Sequence, residues 1–298
     1  MRYSRKADPA AKTPGSRIWR VGGGRLLELG NNGHIMAIVN VTPDSFSDGG
    51  LHEGLEGAVA HGLACVRDGA AILDIGGEST RPGAAAVSAA EEQDRVIPVI
   101  ERLVRETDAL ISIDTYRAET ARLAIAAGAH IINDVHGLQR EPAIASVAAE
   151  TGAGLCIMHT GRGREGDVAA DVVEDQRAFF DLSLAIADEA GVAPEAIVLD
   201  PGFGFAKDAD QNLELMARFG ELRDIGFPWL IGTSRKRFIG TATGRDIAAE
   251  RDVGTAATTA ILRLAGAAIF RVHNVATNRD ALGIADALLR AQSEETPR

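Results

Sequence analysis

Short apolar runs recur along this chain, and each is followed by a polar, charged or glycine residue and then by a helix-like stretch. In chain order, the runs are 35–39 before Asn40, 71–75 before Gly76, 110–113 before Asp114, 131–132 before Asn133, 155–158 before His159, 197–199 before Asp200, 229–231 before the segment 232–236, and 268–270 before Arg271. Alternating strand and helix signals are typical of an α/β protein with a parallel sheet. Eight such units predict a (β/α)8 TIM barrel, whose active site lies at the carboxyl ends of the strands. We therefore expect the polar residues after the runs to meet at one face of the molecule.

The chain before the first run contains two strand-like segments, residues 17–21 and 25–29, on either side of three glycines. This pattern predicts a short N-terminal β-hairpin, which we expect to plug the amino-terminal mouth of the barrel. Residues 1–16 are polar and basic without the apolar core of a secretory signal, so we expect a disordered tail there. No Pro- or Ser-rich linker divides the rest, and residues 17–298 are predicted to form one domain.

Helical periodicity and glycine stop signals predict a helix after each run. The predicted helices are 55–67, 89–106, 118–127, 142–149, 172–190, 209–222, 248–265 and 277–291. Ser88 and Glu91 have the spacing of a capping box at the start of the second helix. Three connections, residues 41–52, 78–86 and 237–246, are predicted to be long loops, and such loops commonly carry function.

Composition argues against several function classes. Of the 298 residues, 46% are hydrophobic and 24% charged, which is ordinary for a soluble globular protein. The net charge of −11 argues against a general affinity for nucleic acid or for an anionic membrane surface. No apolar stretch is long enough to span a bilayer. The cysteines, Cys65 and Cys156, fall within a predicted helix and strand, and we expect them to be buried free thiols of a cytoplasmic protein.

Two carboxylates and an amide stand at the ends of predicted strands. Asp114, Asn133 and Asp200 follow the third, fourth and sixth apolar runs. Such a group can bind Mg²⁺, act as acid and base, or accept hydrogen bonds from a nitrogen-rich heterocycle. Capping of a helix N-terminus is a structural use for any one of these residues but not for all three together. The residue types leave these uses open.

A basic cluster is predicted at the same barrel mouth, in a chain that is otherwise acidic. Its members are Arg81, Arg235, Lys236, Arg271 and His273. Loops after the seventh and eighth strands of such barrels often hold a phosphate, which suits arginine and lysine. Arg235 taken alone fits a surface role, whereas Lys236 is one of only two lysines after the N-terminal tail, the other being Lys207. His159, at the end of the fifth run, fits a structural role as well as a functional one.

Seven segments on successive predicted strand ends together form a known pattern. They are NVTPDSFSDG at 40–49, DIGGESTRPG at 74–83, IDT at 113–115, IIND at 131–134, DPGFGF at 200–205, SRK at 234–236 and RVH at 271–273. Any one of them could arise by chance, but in this order they are highly specific. From Ile35 to about Leu289 the chain resembles the dihydropteroate synthases, a family of folate biosynthesis.

The resemblance implies condensation of (7,8-dihydropterin-6-yl)methyl diphosphate with 4-aminobenzoate, giving 7,8-dihydropteroate and diphosphate, with Mg²⁺ as cofactor and a homodimer as the assembly. It implies pterin contacts from Asp114, Asn133, Asp200 and Lys236 around the ring edge and from Met158, Gly204 and Phe205 on the ring faces. It assigns the diphosphate to Arg271 and His273, Mg²⁺ to Asn40, and the aminobenzoate side to Ser234, Lys236 and Pro82, with Thr80 as a further substrate-binding residue from the second loop. The catalytic residues that it implies are Asp44, Phe46, Thr80, Arg81 and Lys236. Sulfonamides should then compete with 4-aminobenzoate.

Two alternative functions share the predicted pterin grip. A methyltransferase that passes a methyl group from methyltetrahydrofolate to a corrinoid has no evident use for the loop segments 40–49 and 80–82. A non-catalytic paralogue that binds pterin to regulate or scaffold a partner predicts the loss of loop residues that are present here, such as Asn40 and Phe46. Small residues at 254 and 256–259 are a candidate dimer contact, although they also suit the packing of a helix on a barrel.

Overall fold

The structure, a computed structural model, describes residues 17–42, 50–78, 87–164 and 168–294, with the backbone alone for 50–53 and 294. Two strands precede the barrel, β1 (Arg17–Arg20) and β2 (Leu26–Leu29). The barrel strands are β3 (His34–Asn40), β4 (Ile72–Gly76), β5 (Leu110–Asp114), β6 (Ile131–Asp134), β7 (Gly154–Met158), β8 (Ile197–Asp200), β9 (Leu230–Ile231) and β10 (Ile269–Val272). The helices are α1 (Gly50–Arg67), α2 (Ala89–Glu106), α3 (Ala118–Ala126), α4 (Ala143–Thr151), α5 (Val172–Glu189), α6 (Ala209–Ala217), α7 (Arg237–Thr243), α8 (Asp252–Leu264) and α9 (Val275–Glu294).

The eight barrel strands form one parallel sheet in the order β8-β7-β6-β5-β4-β3-β10-β9. A parallel bridge between Leu199 and Trp229 joins the first strand of this order to the last and closes the barrel. The N–H of Leu199 also donates to the carbonyl of Pro228 at 2.9 Å. The predicted TIM barrel is therefore confirmed, including the order in which the apolar runs become neighbouring strands.

Side chains alternate between the barrel interior and the surrounding helices, because successive residues of a strand point to opposite faces. Residues such as Leu73, Ile111 and Phe270 pack outward in the main core under the helices. The inward residues nearest the amino-terminal end form a second, separate apolar layer: Met36, Ile72, Leu110, Ile131, Cys156, Val198, Leu230 and Ile269. The next inward positions, toward the carboxyl end, are largely polar, so the apolar layer is the floor of a polar cavity.

The N-terminal hairpin closes the barrel from below, as predicted. Strands β1 and β2 pair antiparallel around a 3-10 turn at Gly22–Gly24. Trp19, Val21 and Leu29 pack against the apolar floor layer, and Trp19 is fully buried. The indole N–H of Trp19 donates to the carbonyl of Ala196 at 2.8 Å. This contact ties the hairpin to the chain just before β8.

Most predicted helices are present with shifted ends, and one predicted loop is wrong. The segment 237–246 contains α7, whose buried Phe238 and Ile239 give it an apolar face, and Gly244 ends it in the left-handed conformation (φ 68°). The predicted helix 209–222 stops at Ala217 and continues as a 3-10 helix over Phe219–Ile225. The capping interaction at α2 is present, since Ser88 Oγ accepts the N–H of Glu91 at 3.2 Å.

Helix α8 uses its small residues to pack on the barrel. Ala256, Thr258 and Thr259 are buried, whereas Val253 and Ile261 of the same helix are exposed. The buried members of the small-residue stripe therefore serve helix packing, whereas Ala257 is exposed and Gly254 half-buried, and the expected dimer contact stays a prediction. The cysteines Cys65 and Cys156 are free and buried, as expected. Within the described part of the chain, no helix has both the length and the hydropathy needed to cross a bilayer.

Candidate active site

The polar layer of the barrel places the predicted strand-end residues side by side. Strand register pairs Asp114 with Gly76 of β4 and with Asn133 of β6. Asp200, the last residue of β8, is in register with Met158 of β7. Asn133 and Asp200 are buried and Asp114 is half-buried, so these side chains lie in the mouth of the barrel and not on its outer surface.

A buried ion-pair network joins four strands through Asp74 and Arg271. The Nε of Arg271 donates to Asp74 Oδ2 at 2.6 Å, and its Nη2 donates to Asp114 Oδ2 at 2.6 Å. The Nδ2 of Asn133 donates to the same Oδ2 of Asp74 at 3.1 Å. Asp74 is fully buried, and its Oδ1 has no hydrogen-bond partner among the described residues. The guanidinium and the amide are therefore both oriented by one carboxylate.

Sequence analysis assigned no role to Asp74. It lies inside the second apolar run, between Leu73 and Ile75, and not at the end of the strand. An aspartate on the inward face of an otherwise apolar strand was the signal that could have identified it, because burial of a carboxylate needs a partner.

Burial controls the ionisation of the predicted carboxylates. It raises the pKa of Asp114, and the guanidinium of Arg271 opposes that shift. It also raises the pKa of Asp200 to about 6, against the hydrogen bond from the Gly202 N–H and the ammonium of Lys236. Burial lowers the pKa of Lys236 to about 8, and Arg271 acts in the same direction. Near neutral pH the site therefore holds Asp200 as an anion and Lys236 as a cation.

Apolar side chains form a wall beside these charges. Met158, Phe205 and Val135 make a small buried cluster of their own, with Tyr116 packed against it. The Nζ of Lys236 lies 4.1 Å from the centroid of the Phe205 ring, which is a cation–π contact. Gly204 has φ +76°, and a Cβ there would lie 2.9 Å from Cδ of Lys236. Glycine thus permits the lysine stem to cross the backbone next to the aromatic wall.

Ser234 and His273 lie together at the rim formed by β10 and the chain after β9. Ser234 Oγ accepts the backbone N–H of His273 at 3.0 Å and lies 2.9 Å from His273 Nδ1. Arg235, between Ser234 and Lys236, is directed elsewhere, because its guanidinium pairs with Asp252 at 2.7 Å. Arg235, expected to be a surface residue when taken alone, is half-buried and pairs with both oxygens of Asp252.

Asn40 ends β3 in register with Gly76. A Cβ on Gly76 would lie 3.8 Å from Asn40 Oδ1 and 3.6 Å from Asp114 Oδ2, so the absent side chain leaves room where both oxygens approach. Within the described ranges, no three His, Cys, Asp or Glu side chains are grouped to hold a metal ion. A single amide oxygen suits Mg²⁺ only when substrate phosphates and water supply the other ligands.

The predicted site residues fall into three sets. The polar cavity and its apolar wall contain Asp114, Asn133, Met158, Asp200, Gly204, Phe205, Lys236 and Arg271. The rim contains Asn40, Ser234 and His273. Asp44, Phe46, Thr80, Arg81 and Pro82 lie outside the described residues, and their roles stay predictions.

The arrangement suits a flat, nitrogen-rich ligand with an anionic tail. Carboxylate oxygens of Asp200 and Asp114 and the free Oδ1 of Asn133 are acceptors for ring and amino N–H groups. Lys236 supplies a donor on the same cavity, and the apolar wall can cover a ring face. Arg271, half-buried and paired with Asp74 and Asp114, adds a cation to the same site, which suits an anionic tail.

Comparisons with known proteins agree with this geometry. The family described as pterin binding enzyme matches residues 36–273. The dihydropteroate synthase of Synechocystis sp. is 45% identical over 273 residues, 90% of this chain and 94% of that protein. The structure of Xanthomonas albilineans dihydropteroate synthase with 4-aminobenzoic acid has a TM-score of 0.86 at 43% identity, covering 95% of this chain and 100% of that one. The same organism's enzyme in complex with 7,8-dihydropteroate has a TM-score of 0.83 at 41% identity, covering 93% of this chain and 100% of that one. The chain therefore belongs to the dihydropteroate synthase family of pterin-binding enzymes.

Proposed function

We propose that this protein condenses (7,8-dihydropterin-6-yl)methyl diphosphate with 4-aminobenzoate, forming 7,8-dihydropteroate and releasing diphosphate. The observation that carries the proposal is the convergence of Asp114, Asn133, Asp200 and Lys236 in one cavity of the barrel mouth beside an apolar wall. Relatives with this fold bind 4-aminobenzoic acid and 7,8-dihydropteroate, the second substrate and the product of this reaction.

The pterin is the substrate that the cavity holds. Its 2-amino and ring N–H groups donate to Asp200 and to the oxygen of Asn133, which Asp74 turns toward the cavity. Lys236 donates to the carbonyl edge, and Met158 and Phe205 cover the ring. Ionised Asp200 is the better acceptor, so the cavity binds pterin most tightly above the pKa of that carboxyl.

Chemistry takes place where the pterin side chain leaves the cavity. The bond between the exocyclic methylene and the diphosphate oxygen breaks with both electrons going to the diphosphate, and the electron-rich dihydropterin stabilises the resulting cation. The amino nitrogen of 4-aminobenzoate then forms the new C–N bond and loses one proton. Arg271 and His273 at the rim neutralise the leaving diphosphate, and Ser234 and Lys236 position the arylamine.

Mg²⁺ is proposed as the partner of the diphosphate, with the amide oxygen of Asn40 as its protein ligand. The ion supplies charge neutralisation of the leaving group. The amide oxygen of Asn40 and the carboxylate of Asp114 both approach Gly76, and this grouping of oxygens supports the assignment.

We also propose a homodimer and a cytoplasmic location. Two packed helices, α8 and α9, expose large apolar side chains, including Val253, Ile261 and Ile284. Exposed apolar residues grouped on neighbouring helices are typical of a protein–protein contact. The two buried free thiols fit a reducing compartment.

The direct test is to mix the purified chain with both substrates and Mg²⁺ and to measure dihydropteroate by mass spectrometry and diphosphate by a coupled assay. We expect both products in equal amounts, inhibition by a sulfonamide that competes with 4-aminobenzoate, and loss of product in Lys236→Met. Pterin binding without diphosphate release would instead support the non-catalytic paralogue. Methyl transfer from methyltetrahydrofolate would support the methyltransferase.

A further inference from the structure

A second lysine at the carboxyl end of the barrel, the half-buried Lys207, lies in the loop that joins β8 to α6. Its Nζ donates to His159 Nδ1 at 2.9 Å, to the carbonyl of Gly202 at 3.1 Å and to the carbonyl of Pro201 at 3.2 Å. An ammonium group has three protons, and each of them has an acceptor here. Burial lowers the pKa of Lys207 to about 7, and the carboxylates of Asp175 and Asp200 oppose the shift.

The histidine in this network is fixed in one tautomer. His159 Nε2 lies 2.8 Å from Asp175 Oδ2, and the other Asp175 oxygen accepts from Arg164 at 3.0 Å. A carboxylate can only accept, so the proton of His159 is on Nε2 and its Nδ1 is free to accept from Lys207. Burial lowers the pKa of His159 to about 4, with Lys207 acting in the same direction, so the ring is neutral near pH 7.

One peptide unit connects Lys207 to the pterin site. The carbonyl of Pro201, held by Lys207 and by Gln176 Nε2 at 3.1 Å, belongs to the same peptide as the N–H of Gly202. No described peptide bond is cis, and in a planar trans peptide the C=O and N–H point in opposite directions. The N–H of Gly202 therefore points away from Lys207, and it donates to Asp200 Oδ1 at 2.8 Å.

Gly202 makes this close arrangement possible. Its φ is +64°, and a Cβ on this residue would lie 1.9 Å from the carbonyl oxygen of His159. The His159 backbone N–H in turn donates to the carbonyl of Asp200 at 2.8 Å. The loop after β8 is thus held against the end of β7 by backbone contacts on one side and by the Lys207 ammonium on the other.

We propose that Lys207 is a positioning residue for pterin recognition, acting through the Pro201–Gly202 peptide to aim the carboxylate of Asp200, with His159 and Asp175 holding the ammonium in place. The inference rests on the proposed function, because it assumes that Asp200 binds the pterin. Lys207 does not contact the reacting atoms. Its hydrogen bonds go to His159, Pro201 and Gly202, and not to the rim residue Ser234 that is proposed to position the second substrate. Its loss should therefore affect pterin binding far more than binding of 4-aminobenzoate.

The first experiment compares the wild type with Lys207→Met, which keeps the length of the side chain and removes all three donors. Isothermal titration with (7,8-dihydropterin-6-yl)methyl diphosphate should give a Kd about 10- to 100-fold higher in the variant, as expected when charge-assisted hydrogen bonds to a loop are lost. The KM for 4-aminobenzoate at saturating pterin should change by less than about threefold.

A matched control separates positioning from stability. Arg263→Met breaks a different buried ion pair, Arg263 with Asp286, which lies between α8 and α9. It should lower the melting temperature as Lys207→Met does but leave the pterin Kd unchanged. Equal pterin Kd values for Lys207→Met and the wild type would overturn the proposal. Absence of pterin binding in the wild type would instead overturn the proposed function.

Two substitutions of His159 test the two halves of the network. In His159→Asn an amide oxygen replaces Nδ1 and can still accept from Lys207, whereas in His159→Gln the side chain reaches Asp175 and leaves Lys207 without this acceptor. We expect the Asn variant to retain pterin affinity better than the Gln variant. In ¹⁵N spectra of the wild-type protein, His159 should show a protonated Nε2 and an unprotonated Nδ1 between pH 6 and 8. A doubly protonated ring in that range, or a Gln variant that binds pterin more tightly than the Asn variant, would contradict the network.

Discussion

Asp74 illustrates, at the scale of single residues, how buried charge is used in this barrel. Its Oδ2 accepts from both Arg271 and Asn133 and so fixes a cation and an amide with one atom. For ligand binding, the orientation of the Asn133 amide is the more important of the two. Its Nδ2 donates to Asp74, so its oxygen remains available to accept a hydrogen bond from the ligand. The carboxylate of Asp74 is therefore expected to act on pterin binding without contacting the ring edge that Asp200 holds.

A reciprocal exchange tests this role of Asp74. Asn133→Asp alone places two carboxylates within about 3 Å of each other and should weaken pterin binding strongly. Asp74→Asn alone removes the negative charge that pairs with Arg271 and should also weaken pterin binding. In the double variant an amide at 74 can donate to a carboxylate at 133, which still offers an oxygen to the pterin. We expect the double variant to bind within about tenfold of the wild type, as a coupled pair should. Additive losses measured by titration would contradict the role.

The raised pKa of Asp200 predicts an unusual pH dependence of pterin binding. Because the ionised carboxylate is the acceptor, affinity is present above a pH of about 6 and is lost as the pH falls through that value. A free aspartate would lose it only near pH 4. Fluorescence titrations between pH 5 and 8 should show this acid limb in the wild type, and Asp200→Asn should bind weakly with no limb. A limb near pH 4 would contradict the raised pKa of Asp200, and the same limb in Asp200→Asn would show that another group controls binding.

The site residues at strand ends could be predicted from the sequence. The buried charge inside a strand, Asp74, and the role of the loop residue Lys207 could not. Asp114, Asn133 and Asp200 each follow an apolar run, where barrel topology alone brings them together. Asp74 is flanked by apolar neighbours, and the contacts of Lys207 depend on the fold of the loop after β8. Neither position has a sequence pattern that sets its distant side-chain partner, because Asn133 is 59 residues from Asp74 and His159 is 48 residues from Lys207.

Among the secondary-structure elements, the hairpin formed by β1 and β2 can be tested with a single pair of variants. Trp19→Ala removes a fully buried indole and its hydrogen bond to Ala196. Loss of a buried Trp side chain costs about 3–5 kcal/mol. Ile18→Ala is the matched control, since Ile18 lies on the other face of the same strand and is 52% exposed, and its loss should cost about 0.5 kcal/mol or less. Equal unfolding free energies for the two variants in urea would show that the hairpin does not plug the barrel.

The elements themselves were largely predictable, for reasons that particular segments make clear. Buried barrel strands are apolar on both faces, so runs such as 35–39 and 155–158 stand out. Helix α7 was predicted as loop because its seven residues are too short for a helical period to be recognised. Its contacts come from α6 before it and from the chain at 248–251 and α8 after it. Tertiary contacts, not local preference, decide such short helices.

At the scale of the whole molecule, an acidic protein has two half-buried cations, Lys236 and Arg271, at the mouth of its barrel. The net charge of −11 argues against a general affinity for nucleic acid, so an anionic substrate would depend on such local positive charge. The opposite end of the barrel is closed by the hairpin. Binding and packing are thus separated along the barrel axis, as is usual in TIM barrels.

The proposed dimer is a prediction at the same scale. Val253→Glu on α8 and Ile284→Glu on α9 place charges on side chains that are 77% and 74% exposed, so neither should disturb the fold of the single chain. We expect sedimentation equilibrium to show a dimer for the wild type and a monomer for the double variant. Leu182→Glu on α5, at a 60% exposed position, is the control and should remain dimeric. A monomeric wild type at micromolar concentration would contradict the dimer.

The central claim is that one cavity at the carboxyl ends of the strands binds the pterin. A crystal structure of the protein soaked with (7,8-dihydropterin-6-yl)methyl diphosphate tests it most directly. The account predicts the pterin ring against Met158 and Phe205, with its amino group within hydrogen-bond distance of Asp200 and its diphosphate at the rim near His273. Clear density for the pterin at any other place on the molecule, with this cavity filled only by water, would contradict the account.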